Sequence, residues 1–202
     1  MKHLILAPHI DDEVLGCYSF LRENTFVHFF GVEDRSYASK EQRIDELKAS
    51  SRAAGFQWAI SNHTVNDFRL ALLIGEIEAR INELKPNIIL FPGPCYNQDH
   101  RAVHSAAMVA VRPHDKNWFV PTVLLYEQPQ LLTWPYGIQL WEPNYFRPID
   151  IEAKLKLYSL YASQVRGHRS PELLRSQARL RGCSANHEYA EAFFCKRNVD
   201  SG

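Results

Sequence analysis

Apolar and polar positions follow two rhythms along the chain. Short apolar blocks, "HLILA" near the start, then "TFVHFFGVE", "NIILFPG" and "TVLLYEQ", have the length and β-branched or aromatic content of buried strands. Between them the apolar residues recur at helical spacing. "DEVLGCYSFLREN", "SKEQRIDELKASSRAAG" with its closing Gly55, "ALLIGEIEARINELKP" stopped by Pro86, and "DHRAVHSAAMVAV" each read as helices. Strands alternating with helices predict an α/β fold with a mostly parallel sheet and helices on both faces. In such sheets ligands bind beyond the carboxyl ends of the strands.

From Pro129 to Asp150 the rhythm breaks. "PQLLTWPYGIQLWEPNYFRPID" is rich in proline and aromatics without a clear period, and reads equally as a loop or hairpin over a site or as an edge that packs. Beyond it, "IEAKLKLYSLYASQV" and "SPELLRSQARLRG" read as helices and "EYAEAFFCKR" as a terminal strand. With no repeat, low-complexity tract or linker, residues 1–202 read as a single domain.

Composition narrows the function classes. The 23 Lys and Arg balance the 23 Asp and Glu, so no basic footprint points to nucleic acid and a small molecule is the expected partner. The four cysteines, Cys17, Cys95, Cys183 and Cys195, form no C-x-x-C pair and fit reduced thiols in a cytoplasm. The amino terminus meets acids too early for a signal peptide, and no apolar run reaches the ~20 residues of an integral membrane segment. A homo-oligomer stays open.

Two segments carry chemistry. "APHIDDE" follows the first strand, and "FPGPCYNQDHRAVH" follows the strand "NIILF". A parallel sheet starts both at one edge, which can bring His9, Asp11, Asp12, His100 and His104 into one crevice. Consecutive acids at a helix start are also ordinary capping residues. Crowding favours the chemical reading: adjacent carboxylates raise one another's pKa unless a cation compensates. His100 and His104 share a helix face, but Arg101 stands where a zincin carries its Glu base, so that motif fails.

"APHIDDEVLGC" with "NQDHRAVH" resembles the PIG-L/LmbE-like superfamily of metal-dependent de-N-acetylases, and the similarity extends through "RIDELKASSRAAGF" to "KLKLYSLYASQ" and "RGCSANHEYAEAF". The resemblance implies a Rossmann-like, three-layer LmbE-like fold. It implies His9, Asp12 and His100 as metal ligands and Asp11 as catalytic general base. Arg43 and Asp67 fall on substrate-binding positions, with a helix-face Arg paired to Glu46 and a turn-forming Asp as the alternatives. Asn97 stands where many members carry a catalytic His; it can hydrogen-bond substrate but cannot act as an acid.

Two imidazoles and one carboxylate leave an open position, as in catalytic zinc sites, and also suit Fe2+ or another divalent metal. The implied activity is removal of the acetyl group from an N-acetylated amino sugar, a small-molecule substrate of GlcNAc type. An amidase on a non-sugar amide and a binding module without turnover are the alternatives. Trp134, Tyr136 and Trp141 are candidates for stacking on a sugar face. His187 and Glu191 are further candidates from the tail, with surface and strand-end placements as the simpler accounts.

Overall fold

Five short apolar strands, β1 (His3–Ala7), β2 (Thr25–Phe29), β3 (Gln57–Ile60), β4 (Ile88–Pro92) and β5 (Thr122–Tyr126), run parallel in the computed structural model, which describes residues 2–114, 116–134 and 141–200. Two further strands, β6 (Tyr145–Pro148) and β7 (Ala190–Asn198), complete a sheet of order β3-β2-β1-β4-β5-β7-β6. β7 pairs antiparallel with both β5 and β6. Mostly parallel pairing with helices on both faces is the expected three-layer arrangement.

The central strands β1 and β4 are buried on both sides, so alternate residues feed two cores. Ile5 and Ala7 face a core shared with Val14, Leu47, Tyr158 and Leu174, and thus with the helices α1 (Asp12–Cys17), α2 (Lys40–Ala54), α6 (Ile151–Tyr158) and α7 (Pro171–Ser184). Leu4 and Leu6 face Leu73, Ile77, Val103 and Ala107, from α3 (Leu70–Leu84) and α4 (Gln98–Ala110).

Local chemistry sets the helix limits. Ser39 caps α2 by accepting from the Gln42 N–H, and Gly55 ends it at φ 81, the left-handed region open to glycine. The first helix is shorter than the apolar pattern suggests: α1 ends at Cys17 and passes into a 3-10 turn, Tyr18–Phe20. The Glu191 carboxylate secures that transition by accepting the Tyr18 and Ser19 N–H groups at 3.0 and 2.8 Å. Lys154 joins it at 2.7 Å and also donates to the Leu15 carbonyl. Glu191 is therefore a structural acid. Gly16 lies inside α1 because a Cβ there would come within 2.4 Å of the buried Tyr126 ring.

The described parts of the aromatic-rich stretch share both readings, with Gln130 at the cleft wall and a packed edge strand further on. Pro129–Thr133 forms the short helix α5, and Tyr145–Pro148 becomes the edge strand β6. Trp141 packs against Phe194 and over Gly93, and Trp134 is exposed. Tyr136 lies outside the described residues.

A polar cluster ties β2 and the segment after β3 to α3. The Glu76 carboxylate accepts from His28 at 2.9 Å, from His63 at 2.7 Å and from Ser61. Arg80 donates to His28 Nδ1 at 3.2 Å, which leaves the His28 Nε2–H to face Glu76. Burial pushes the Glu76 pKa up, but the His28, His63 and Ser61 hydrogen bonds outweigh it and bring it from 4.5 to about 2. A depressed folded pKa stabilises above the unfolded value, and that stability is lost as pH falls through the folded one. Glu76→Gln should lower Tm at neutral pH and flatten the fall in Tm between pH 4.5 and about 2. Thermal melts of both proteins across that window check it; parallel curves would contradict the linkage.

Candidate functional site

The sheet order reverses between β1 and β4, which pair directly, so the segments leaving their carboxyl ends meet. Pro8–Asp11 leads from β1 into α1, and the segment after β4 leads into α4 through Asn97. The Asn97 side chain caps α4, its Oδ1 accepting from the Asp99 and His100 N–H groups at 2.9 and 3.4 Å. That cap turns Asp99 and His100 toward the β1 loop.

Asp12 is the centre of the arrangement. Its Oδ2 lies 3.6 Å from His9 Nδ1 and 3.4 Å from His100 Nε2. It also accepts the His9 backbone N–H at 2.9 Å. Its Oδ1 accepts from Gln128 Nε2 at 3.1 Å. One potential ligand atom from each of His9, Asp12 and His100 lies within 4.8 Å of the other two. His9 Nε2 is held by Asp99 at 2.9 Å, which leaves the Nδ1 lone pair on the Asp12 side. Two imidazole nitrogens and a carboxylate oxygen thus converge, a donor set that fits a divalent cation.

The electrostatics agree with that fit. Burial alone would raise the Asp12 pKa, but His100 and His9 outweigh it and hold the carboxyl far below the usual carboxylate range. Burial opposes a charged His100, yet Asp12 beside it pushes His100 up to about 10. The carboxylate draws positive charge to this spot, where a metal ion would take the proton's place.

Asp11 is set apart from Asp12 by an unusual backbone. Its φ of 100° is left-handed, a conformation that Asp tolerates better than most side chains at a cost of about 1–3 kcal/mol. The surroundings fix it there. Its N–H donates to Glu13 Oε2 at 3.0 Å, and Tyr161 in turn donates to Glu13. Arg169 Nη1 donates to Asp11 Oδ2 at 2.9 Å. Arg43, which donates to the Ile10 carbonyl, has Nη2 3.8 Å from Asp11 Oδ1. Burial raises the Asp11 pKa more than Arg169 and Arg43 lower it.

These groups open onto a cleft of about 180 Å³ whose walls include Asp11, Arg43, Asn97, Gln164, Arg166 and Arg169. A larger groove of about 620 Å³, between Tyr18, Leu21, Ala54 and Leu157, lies beside the turn into β2 and holds none of them.

His9, Asp11, Asp12, Arg43, Asn97 and His100, all expected from the sequence, therefore share one cleft. Arg43 does not pair with Glu46, whose carboxylate accepts from Ser163 instead. Asp67 is exposed before α3 and does not line the cleft; the neighbouring Asn66 N–H donates to Asp99 at 2.8 Å. His104 donates Nδ1–H to the Pro92 carbonyl at 3.0 Å, and His187 is exposed after α7. Cys95 is a buried free thiol beside His100.

Sequence reasoning missed Gln128, which holds Asp12, and Arg169, which holds Asp11. The only signal for the latter was the basic run "RGHR" ahead of the Ser170–Pro171 helix start.

A model of the PIG-L family, described as GlcNAc-PI de-N-acetylase, matches residues 4–111. No curated protein matches the chain by sequence. Among solved structures, the A40926 pseudoaglycone deacetylase Dbv21 is similar at TM-score 0.76 and 19% identity, covering 99% of each chain. N,N'-diacetylchitobiose deacetylase from Pyrococcus horikoshii is similar at TM-score 0.75 and 20% identity, over 97% of this chain and 84% of its own. GalB, the 4-carboxy-2-hydroxymuconate hydratase of Pseudomonas putida, is similar at TM-score 0.72 and 16% identity, over 100% and 99%. At these identities the likenesses establish the fold.

If the three donors act together, His9→Ala and His100→Ala should each abolish stoichiometric metal after purification. Asp99→Asn should weaken metal affinity by about 10–100-fold. Elemental analysis and chelator competition read both effects; full metal content in the His9→Ala/His100→Ala double variant would exclude this ligand set.

Proposed function

The chain belongs to the PIG-L family of de-N-acetylases, and from that premise we propose that it is a metal-dependent hydrolase that removes the acetyl group from an N-acetylated amino sugar. The observation that carries this reading is the Asp12 carboxylate lying between two imidazoles, with Asp11 beside it but held apart. His9, Asp12 and His100 would hold the ion, with zinc the default and Fe2+ or another divalent metal suited to the same set. When bound, such an ion supplies Lewis-acid polarisation of the amide carbonyl and a lowered pKa for water.

The chain's own residues supply the rest. Gln128 engages Oδ1 of Asp12, which leaves Oδ2 facing the two imidazoles, where it would help hold the ion. Asp11 acts as general base, taking a proton from the attacking water as the amide carbonyl carbon gains its new C–O bond. The C–N bond then breaks, and Asp11 returns the proton to the leaving amine. Its raised pKa suits a group that must both accept and give back a proton. Asn97 serves binding, since its Oδ1 is committed to the α4 cap and its amide carries no acidic proton. Arg43, buried at the cleft wall, donates to the Ile10 carbonyl and lies beside Asp11, so that it would help position that carboxylate.

We read residues 1–202 as one deacetylase domain acting in the cytoplasm, a placement supported by the four unpaired cysteines.

Acetate release from a panel of N-acetylated sugars tests the activity. Asp11→Asn, which tolerates the same left-handed backbone, should retain metal and lose about 10²–10⁴-fold in kcat. Near-wild-type turnover in that variant would remove Asp11 from its role. Release of acetate only from non-sugar amides would shift the substrate class, and water addition to a double bond without acetate would place the chain with the hydratase.

A further inference from the structure

We propose that the groove beside the turn into β2 is a binding site for a single-chain aliphatic carboxylate, whose chain lies on the apolar floor and whose head is met by Arg22. The site is separate from the metal cleft, and the proposal does not rest on the deacetylase reading.

The groove encloses about 620 Å³, within the ~300–1,000 Å³ of ordinary small-molecule sites. It lies at the far side of the sheet from the cleft. The turn through Tyr18 and Arg22 runs into the start of β2, and Ala54 closes α2 just ahead of β3, so the groove sits by the amino ends of these strands. The metal donors sit beyond the carboxyl ends of β1 and β4. Leu21, Ala54, Ala153, Leu157 and Leu160 supply the floor, and Tyr18 is the single ring in the lining. Such a trough suits a flexible chain better than a flat aromatic ligand.

The charges of the lining have one sign. Arg22 and Lys156 are its only ionisable groups besides Tyr18, and both are cations. A third cation stands next to Arg22: Arg22 Nη2 and Arg147 Nη2 both donate to the Ser19 carbonyl, at 3.2 and 3.3 Å. Arg147 is fixed there over the Phe20 ring, 4.2 Å from its centroid. Among the described residues no ion pair involves Arg22, Arg147 or Lys156. The carboxylates that act on this turn are committed elsewhere, Glu191 to Lys154 and to the Tyr18 and Ser19 N–H groups, Asp150 to the Ala153 N–H. Burial and the neighbouring Arg147 both lower the Arg22 pKa, the effect expected of a cation with no opposite charge beside it. The Ser19 hydroxyl, in the same lining, is buried without a hydrogen-bond partner.

An apolar trough with cations along it matches an amphipathic anion. The chain and the floor leave water together. A carboxylate is a planar acceptor that a guanidinium fork meets in pairs, and it relieves the repulsion between two adjacent arginines. A neutral chain would leave those cations as they are, a short anion would leave the floor wet, and a cationic amphiphile would be repelled.

The test titrates decanoate, butanoate, 1-decanol and decyltrimethylammonium into the protein by calorimetry, all below the concentrations at which they self-associate. Decanoate should bind one-to-one and about tenfold more tightly than each of the others. Arg22→Gln should remove most of its advantage over decanol, and Arg22→Lys should keep part of it. Ala153→Phe, which fills the groove without removing a charge, should weaken decanoate and decanol alike. Lys156→Gln, at an exposed position, should also weaken decanoate and serves in place of Arg22→Gln if that variant does not fold. The His9→Ala/His100→Ala variant should bind decanoate as the wild type does, so the site stands even if no sugar is deacetylated. Absence of saturable binding, equal affinity for decanoate and decyltrimethylammonium, or unchanged decanoate affinity in Arg22→Gln or in Ala153→Phe would overturn the proposal. Loss of binding in the His9→Ala/His100→Ala variant would overturn it too, by assigning decanoate to the metal cleft.

Discussion

The direct parallel pairing of β1 with β4 is the constraint on which the site depends. It places two loops separated by some eighty residues of sequence at one point of the sheet edge. Neither loop holds a complete donor set. His9 and Asp12 come from the β1 side and His100 from the β4 side, and strand order brings the two sides together. Because both strands are buried on both faces, a register slip would misplace the loops and disrupt both cores together. Stability and site geometry therefore share the same contacts.

Given that convergence, the site is organised by dividing two adjacent carboxylates between different surroundings. Asp12 faces imidazoles and is held ionised; Asp11, turned by its left-handed backbone, faces Arg43 and Arg169 in a buried setting that raises its pKa. Environments that push neighbouring acids apart in pKa are how one short segment serves two roles. Glu13, the third acid of the run, is spent on structure: it accepts the Asp11 N–H and the Tyr161 hydroxyl, and burial raises its own pKa to about 8.

Much of this was legible in the chain because the signals were local. β1, β2, β4 and β5 read directly from apolar runs, and α2 from its helical spacing and Gly55 stop. The short strand β3 gave little signal: "QWAI" is four residues at a half-buried sheet edge, too short for a period. The two acid and imidazole motifs announced His9, Asp11, Asp12 and His100, since those residues sit in contiguous segments. Gln128 and Arg169 were not legible, because each acts through a single contact across the fold. Asp67 shows the converse: sequence context drew attention to it, and the fold leaves it exposed outside the cleft.

The amino end of α4 shows why an asparagine at position 97 is compatible with a working site. Its side chain satisfies two N–H groups at the start of the helix that no intrahelical carbonyl could reach. The next residues then serve the site in different ways: Asp99 orients His9, and His100 offers Nε2 beside Asp12. A histidine at position 97 would offer an acid, but it is a weaker cap for the turn that aims Asp99 and His100. The chain has placed helix-start stability at 97, while Asp11 on the facing loop is held in a buried setting against Arg169.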